Sequence, residues 1–206
     1  MIKVLLIDDH VLVRIGLSGA IESTDGMQLV GQAGNSLEIV EMFEELKPDV
    51  VVIDFRMPEE NGVAATRRLL EAHPEARVLL LSVYEGEEDI WRAVKVGVRG
   101  YVTKGDDTDE LLDGIRTVHA GEAFFPPKIA DKIRKRSQRA SLSRREAEVL
   151  TLIVQGLRNK EISDRLGISL GTVKLHTSKI LDKLDVNDRT QAAVIAVHRG
   201  IVHLDD

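Results

Sequence analysis

Five short apolar runs, each followed by a stretch with helical spacing, do more than any other feature to limit how the first part of this chain can fold. The runs are Ile2–Ile7, Met27–Val30, Val50–Ile53, Val78–Leu81 and Tyr101–Val102. Several are continuously apolar, the pattern of strands covered on both faces. Between them, Val11, Ile15, Leu17 and Ile21 recur at helical spacing, as do Ile39, Val40, Phe43 and Leu46, where Lys47-Pro48 ends the stretch. Ala64–Ala72, Glu88–Val96 and Asp109–Ala120 supply three more. Strand–helix alternation repeated in this way predicts a doubly wound parallel α/β sheet, and right-handed crossovers leave few topologies.

The pattern stops at Gly121. Residues 121–140, with Pro126, Pro127 and a basic stretch from Lys128 to Arg139, read as an interdomain linker between a domain over 1–120 and a second over 141–206. From Leu142 onward everything reads helical: Arg144–Gln155, Asn159–Leu166, Gly171–Leu184 and Arg189–His198, with Gly156, Gly167 and Gly200 where helices should stop. Charge divides along the same line. The net charge of −6 conceals −11 over residues 1–118 and +5 over residues 119–206, so only the second part is suited to approach a polyanion.

Polar residues at the carboxyl ends of the apolar runs carry the chemistry. Asp8 and Asp9 follow the first run, Asp54 the third, Ser82 the fourth and Lys104 the fifth. Ligands of an open parallel sheet bind at the carboxyl ends of its strands, so this fold gathers the five side chains into one crevice. Three carboxylates together raise one another's pKa and call for a cation. Hard oxygen donors suit Mg²⁺. Lys104 adds a positive point charge for a phosphoryl oxygen and Ser82 a hydroxyl, which makes a phosphoryl-transfer site with a carboxylate nucleophile. Asp54, on the central run, is the expected nucleophile. Any one of these residues alone reads as a helix cap, a turn or a solvated charge; their joint placement does not.

Residues 1–120 resemble the receiver domain of two-component response regulators. The resemblance rests on Ile7-Asp8-Asp9, on Asp54-x-x-Met57-Pro58-x-x-x-Gly62, on Ser82 and on Tyr101-x-x-Lys104. It implies a flavodoxin-like, five-stranded parallel sheet of order 2-1-3-4-5. It further implies that Asp8, Asp9, Asp54 and the backbone carbonyl of Arg56 bind Mg²⁺. Asp54 would then accept a phosphoryl group from a sensor histidine kinase, Lys104 would contact that group, and Ser82 and Tyr101 would move in response. For Tyr101 the alternative is a half-buried strand aromatic.

In the second half, Asn159–Leu166, a tight turn at Gly167 and a helix capped by Ser169 form a helix-turn-helix inside an all-α, four-helix domain. Val173, Ile180 and Leu184 share one face of the later helix; Lys174, Ser178 and Asp182 share the opposite one. Lys160, Arg165, Lys174, Lys179 and Lys183 are placed for phosphates, and Lys174 and Ser178 for base edges. Residues 141–206 resemble the LuxR-type helix-turn-helix of NarL/FixJ-type regulators, on Leu142-Ser143-x-Arg145-Glu146, Asn159-Lys160-Glu161-Ile162, Thr172-Val173-Lys174-x-His176, Lys183-Leu184 and Arg189. The resemblance implies that the helix from about Gly171 to Leu184 recognises DNA, with Lys174 its main contact and Thr172 beside it. His176 reads equally as a core-rim residue or a phosphate contact. Ser163 and Ser178 depart from residues common in the family, so no target sequence carries over.

A single module of this kind buries about 600–1,000 Å² on DNA, so tight binding calls for a homodimer on paired half-sites. Ala192, Ala193, Ile195 and Ala196 of the last helix are the expected contact. RNA polymerase is a further partner open to such a regulator. The sequence has no cysteine and no apolar run near the roughly 20 residues that span a bilayer, and its start is too short and too soon acidic for a signal peptide. The expectation is a cytoplasmic regulator with no membrane partner, not an enzyme. One rival is a haloacid-dehalogenase-like phosphatase, which would place a second Asp where Arg56 stands. A second gives the output domain RNA or protein as its target. A third is a regulator independent of phosphorylation, against which the complete acidic site speaks.

Overall fold

A computed structural model describes residues 1–83, 86–105 and 107–203. The chain packs into two units, the first made of Met1–Tyr84 with Ile90–Asp131 and the second of Glu85–Asp89 with Lys132–Asp206.

The first unit alternates β1 (Ile2–Ile7), α1 (Val11–Glu22), β2 (Met27–Ala33), α2 (Ile39–Leu46), β3 (Val50–Asp54), α3 (Gly62–Ala72), β4 (Val78–Ser82), α4 (Glu87–Val96), β5 (Gly100–Thr103) and α5 (Thr108–His119). The strands form one parallel sheet of order β2-β1-β3-β4-β5, as expected. Every residue of β3 and β4 is buried, which explains why their apolar runs do not alternate. Val4, Leu6, Val52, Leu79 and Val102 form a core with Ile21 of α1 and Leu111, Ile115 and Val118 of α5.

Register decides where the polar residues fall. Ile7 pairs with Ile53, Asp54 with Leu81 and Ser82 with Thr103, so the strands end together at one edge. Asp54 and Ser82 are the last residues of their strands and not the first beyond them. The ladder continues past each: Phe55 N–H donates to the Leu81 carbonyl (2.8 Å) and Lys104 N–H to that of Ser82 (2.8 Å).

The structure adds detail to the sequence reading at two places. In α1 only Ile21 of the expected apolar face is fully buried; Val11 and Ile15 are exposed, as is Leu12 at 84%. Residues 121–140, read as the interdomain linker, contain a helix that the sequence reading did not give, α6 (Pro127–Ser137). Proline is tolerated in a first helical turn, where its missing N–H has no intrahelical partner anyway. The spacing of Ile129 and Ile133 supplies an apolar side, with Ile129 buried.

The second unit is built on α7 (Arg144–Val154), α8 (Asn159–Leu166), α9 (Leu170–Leu184) and α10 (Arg189–His198). Their inward faces form one core with Val149, Leu150, Ile153, Ile162, Val173, Ile180 and Leu184. Local signals fix the helix ends. Ser143 and Glu146 form a reciprocal capping box on α7. Gly167 adopts φ +62°, the left-handed conformation that ends α8, and the Ser169 hydroxyl accepts the Thr172 N–H (3.1 Å) to begin α9. Arginines tie the helices together: Arg145 donates to the Leu166 carbonyl at the end of α8 (2.7 Å), and Arg189 to the Leu157 carbonyl after α7 (2.6 Å).

The face of α10 expected to serve a partner points the other way. Ala192 and Ala196 are fully buried in the unit's own core, where Ala193 and Ile195 also pack, and the exposed apolar residues are Val194 and Val197. Small residues at that spacing suited close packing against α7 and α9.

Candidate functional site

At the carboxyl edge of the sheet, Asp8, Asp9 and Asp54 converge with a fourth group, His10. One ligand atom from each lies within 4.8 Å of all the others. Asp8 is fully buried at the end of β1 and Asp54 is almost so; Asp9 is half-buried. The local chain is pinned by the Asp8 carboxylate, which accepts the His10 N–H (2.8 Å), and by Arg14, which donates to the Asp8 carbonyl (2.6 Å). Lys104, whose side chain is only 8% exposed, reaches in from the turn after β5. Its Nζ lies 2.7 Å from Asp54 Oδ2 and 2.8 Å from Asp8 Oδ2.

Burial pushes the Asp54 carboxyl up from its usual range, and the neighbouring Asp8 adds to this. The hydrogen bond and charge of Lys104 and the Arg56 N–H (3.3 Å) oppose the shift without cancelling it.

Gly62 explains the spacing of the motif after Asp54. A Cβ at this position would lie 2.3 Å from the Asp54 carbonyl oxygen. The start of α3 therefore passes directly over the strand end, where its Gly62 N–H donates to the Phe55 carbonyl (2.8 Å). Asn61 caps the helix by accepting the Ala64 N–H (2.9 Å).

Ser82 is fully buried at the end of β4, one residue beyond the Leu81 that pairs with Asp54. Tyr101 is also fully buried, more than its half-buried alternative allowed, with its ring centroid 6.5 Å from that of Phe55. The residues present fit a hard divalent cation. The oxygen donors are grouped, and the contacts met by the buried Asp8 Oδ2 and Asp9 Oδ1 are the side-chain nitrogens of Lys104 and His10, at 2.8 Å each.

The second candidate surface is the outward stripe of α9. Lys174, Ser178, Lys179 and Asp182 are exposed opposite the buried Val173, Ile180 and Leu184, as the spacing predicted, and Lys160 and Arg165 are exposed on α8. Thr172 is half-buried, its hydroxyl 2.8 Å from that of Ser169. His176 is half-buried, and its Nδ1 is buried without a partner. Lys183 is differently employed: its Nζ lies 2.7 Å from Glu146 Oε2 and 3.0 Å from the Ser141 carbonyl.

Sequence reading missed two residues. His10 was passed over as the neighbour of two acids. Leu175 is 54% exposed within the polar stripe; its position about 200° around the helix from Val173 could have revealed it.

Residues 4–116 match the family described as the response regulator receiver domain, and residues 140–196 match that described as bacterial regulatory proteins, luxR family. The chain is 35% identical to the response regulator protein VraR of Staphylococcus aureus, over 98% of this chain and 99% of that one. It is 36% identical to ChrA, the response regulator of a heme-sensing two-component system, with 98% of each chain covered and a TM-score of 0.58. RcsB from Salmonella enterica serovar Typhimurium, solved on a promoter in the presence of the phosphomimetic BeF3−, shares the fold at 22% identity and a TM-score of 0.71, over 95% of this chain and 98% of that one. Another RcsB structure contains two of its dimers on two parallel DNAs.

Proposed function

Because this chain belongs to the DNA-binding response regulators that join a receiver domain to a LuxR-type helix-turn-helix, we propose that phosphorylation of Asp54 by a sensor histidine kinase controls its binding to DNA. The observation that carries this reading is the position of Lys104 Nζ between the carboxylates of Asp54 and Asp8.

Asp8, Asp9, Asp54 and the Arg56 carbonyl would hold Mg²⁺, which when bound supplies positive charge to offset the carboxylates and phosphoryl oxygens. An Asp54 carboxylate oxygen attacks the phosphorus of a phosphohistidine; the P–N bond breaks, the O–P bond forms, and the departing imidazole takes up a proton. Lys104 turns from the Asp54 carboxylate to the new phosphoryl oxygens. Ser82, at the adjacent strand end, donates its hydroxyl to the same group. Charge-assisted hydrogen bonds contribute about 1.5–3 kcal/mol each, so the two contacts from Lys104 and Ser82 supply about 3–6 kcal/mol, of the order of the roughly 5.5 kcal/mol that inverts a 1:99 equilibrium of β4, α4 and β5 with Tyr101.

On the output side, α9 enters the major groove with Lys174, Leu175 and Ser178 facing base edges, Leu175 suiting a thymine methyl. Lys160, Arg165, Lys179, Thr172 and His176 line its flanks toward phosphates. Phosphorylation favours a homodimer on paired half-sites, with Val194 and Val197 of α10 at the contact, in keeping with the DNA-bound dimers of RcsB.

Acetyl phosphate with Mg²⁺ tests the phosphoacceptor role. One phosphoryl group per chain in the wild type and none in Asp54→Ala is the expected result. Continuous hydrolysis of phosphate esters in its place would support the phosphatase reading.

A further inference from the structure

Because β4 lies between β3 and β5, the crossovers on either side of it, α3 and α4, run next to each other on one face of the sheet. Between them lies a groove of about 550 Å³. Arg67, Leu70 and Glu71, spaced i, i+3 and i+4, form its α3 wall, and Trp91, Arg92, Lys95 and Val96 form its α4 wall. Leu70, Trp91 and Val96 are half-buried and make an apolar floor, whereas Arg67, Glu71, Arg92 and Lys95 are exposed along the rim. Gly97, at φ +109°, turns the chain out of α4 against Leu70, whose Cδ1 would lie 3.1 Å from a Cβ there, so the two walls meet at that end. The Lys95 ammonium lies 4.8 Å from the centroid of the Trp91 ring, an attraction that holds its charge above the floor.

We propose that this groove docks a short acidic peptide segment of a partner protein. An apolar side chain of that segment would sit on Leu70, Trp91 and Val96, and its carboxylates would pair with Arg67, Arg92 and Lys95. Charge complementarity carries the choice of occupant. The rim sets three cations against one acid, a local charge of +2 within residues 1–118, whose net charge is −11. Arginine clusters are a recurring means of reading acidic motifs, and Arg and Trp in a common pocket are the side chains that most often dominate binding energy. A long polyanion suits the site less, because the cations span only the groove and the acidic surroundings would repel the rest of it. Base stacking suits it less as well, because Lys95 already covers the Trp91 ring. The groove shares no residue with the acidic pocket around Asp54 or with the helix-turn-helix, so the docking stands independently of phosphorylation and of DNA.

The test titrates the full chain at low salt with a capped hexapeptide, Glu-Asp-Phe-Leu-Asp-Glu. Trp91 is the single tryptophan of the sequence, so its fluorescence reads occupancy of the groove directly. A saturable change is expected, with affinity that falls as salt is added. Arg67→Glu and Lys95→Glu, one on each wall and both exposed, should each weaken binding on the order of tenfold. Glu71→Lys should tighten it by a similar factor, a gain that misfolding cannot produce. No saturable change at millimolar peptide would overturn the proposal, as would affinity that survives both charge reversals. Equal binding of an all-glutamate hexapeptide or of single-stranded DNA would overturn it too, reducing the groove to a general anion surface.

Discussion

The ammonium of Lys104 lies 2.7 Å from Asp54 Oδ2 while it also contacts Asp8, so one cation serves two buried carboxylates. Burial, helped by Asp8, wins over Lys104 and the Arg56 N–H and leaves the folded-state pKa of Asp54 above its ordinary 3.8. A raised carboxyl pKa gives stability that is fully present below the unfolded value and is lost as pH rises through the folded one. In the metal-free protein, Asp54→Asn should therefore raise Tm at pH 7 by on the order of a few degrees. The gain should shrink toward zero as pH falls below about 3.8. Melts of both proteins across pH, in chelator, check this; a gain that grows on acidification would contradict it.

Gly62 should tolerate no side chain. Because a Cβ there would lie 2.3 Å from the Asp54 carbonyl oxygen, Gly62→Ala must push α3 or the end of β3 aside. Overpacking of this kind costs about 1–3 kcal/mol. Urea unfolding should show that loss, together with slower labelling of Asp54 by acetyl phosphate, because the displaced backbone carries the nucleophile.

In the second unit, burial works against an ionised Glu146, but hydrogen bonds from Lys183 and from the Ser143 backbone and hydroxyl outweigh it and hold the carboxyl below its usual 4.5. A depressed carboxyl pKa gives stability present above the unfolded value and lost as pH falls through the folded one. Glu146→Gln should thus destabilise the protein at pH 7. The difference from wild type should narrow as pH drops well below 4.5, measured by denaturant unfolding at each pH.

The lysines of the helix-turn-helix should separate into three kinds by DNA titration against salt. Lys174→Ala should cost about 1–3 kcal/mol and relax base preference at one position. Lys160→Ala and Lys179→Ala should weaken all sequences alike and reduce the salt slope by about one unit each. Lys183→Ala, whose amine is held by Glu146 and the Ser141 carbonyl, should lower stability and leave the salt slope nearly unchanged. A full unit of lost slope in Lys183→Ala would return it to the DNA surface.

Much of this was legible in the sequence because it follows from periodicity and strand ends. β1, α2, α8 and α10 fall at the residues their apolar spacing and end signals gave. The acids and Lys104 meet because a parallel sheet aligns carboxyl ends whatever the distance along the chain. Other features depend on what packs against what. Spacing on α1 could not tell that Val11 and Ile15 stay exposed, since helical periodicity marks a face and not its partner. The alanines of α10 read as a surface for a second chain, yet small side chains equally serve close packing inside one domain. Two prolines hid α6, because proline stops helices more often than it starts them. Lys183 and His10 turn inward through single rotamers, which no pattern of residue types encodes.

The most direct test of the account is the DNA affinity and oligomeric state of the full chain with Mg²⁺, with and without acetyl phosphate, for wild type and Asp54→Ala. The account predicts that the phosphodonor tightens DNA binding and promotes the dimer in the wild type alone. Equal affinity with and without the phosphodonor in a wild-type protein shown to be phosphorylated would contradict it, as would the same tightening in Asp54→Ala.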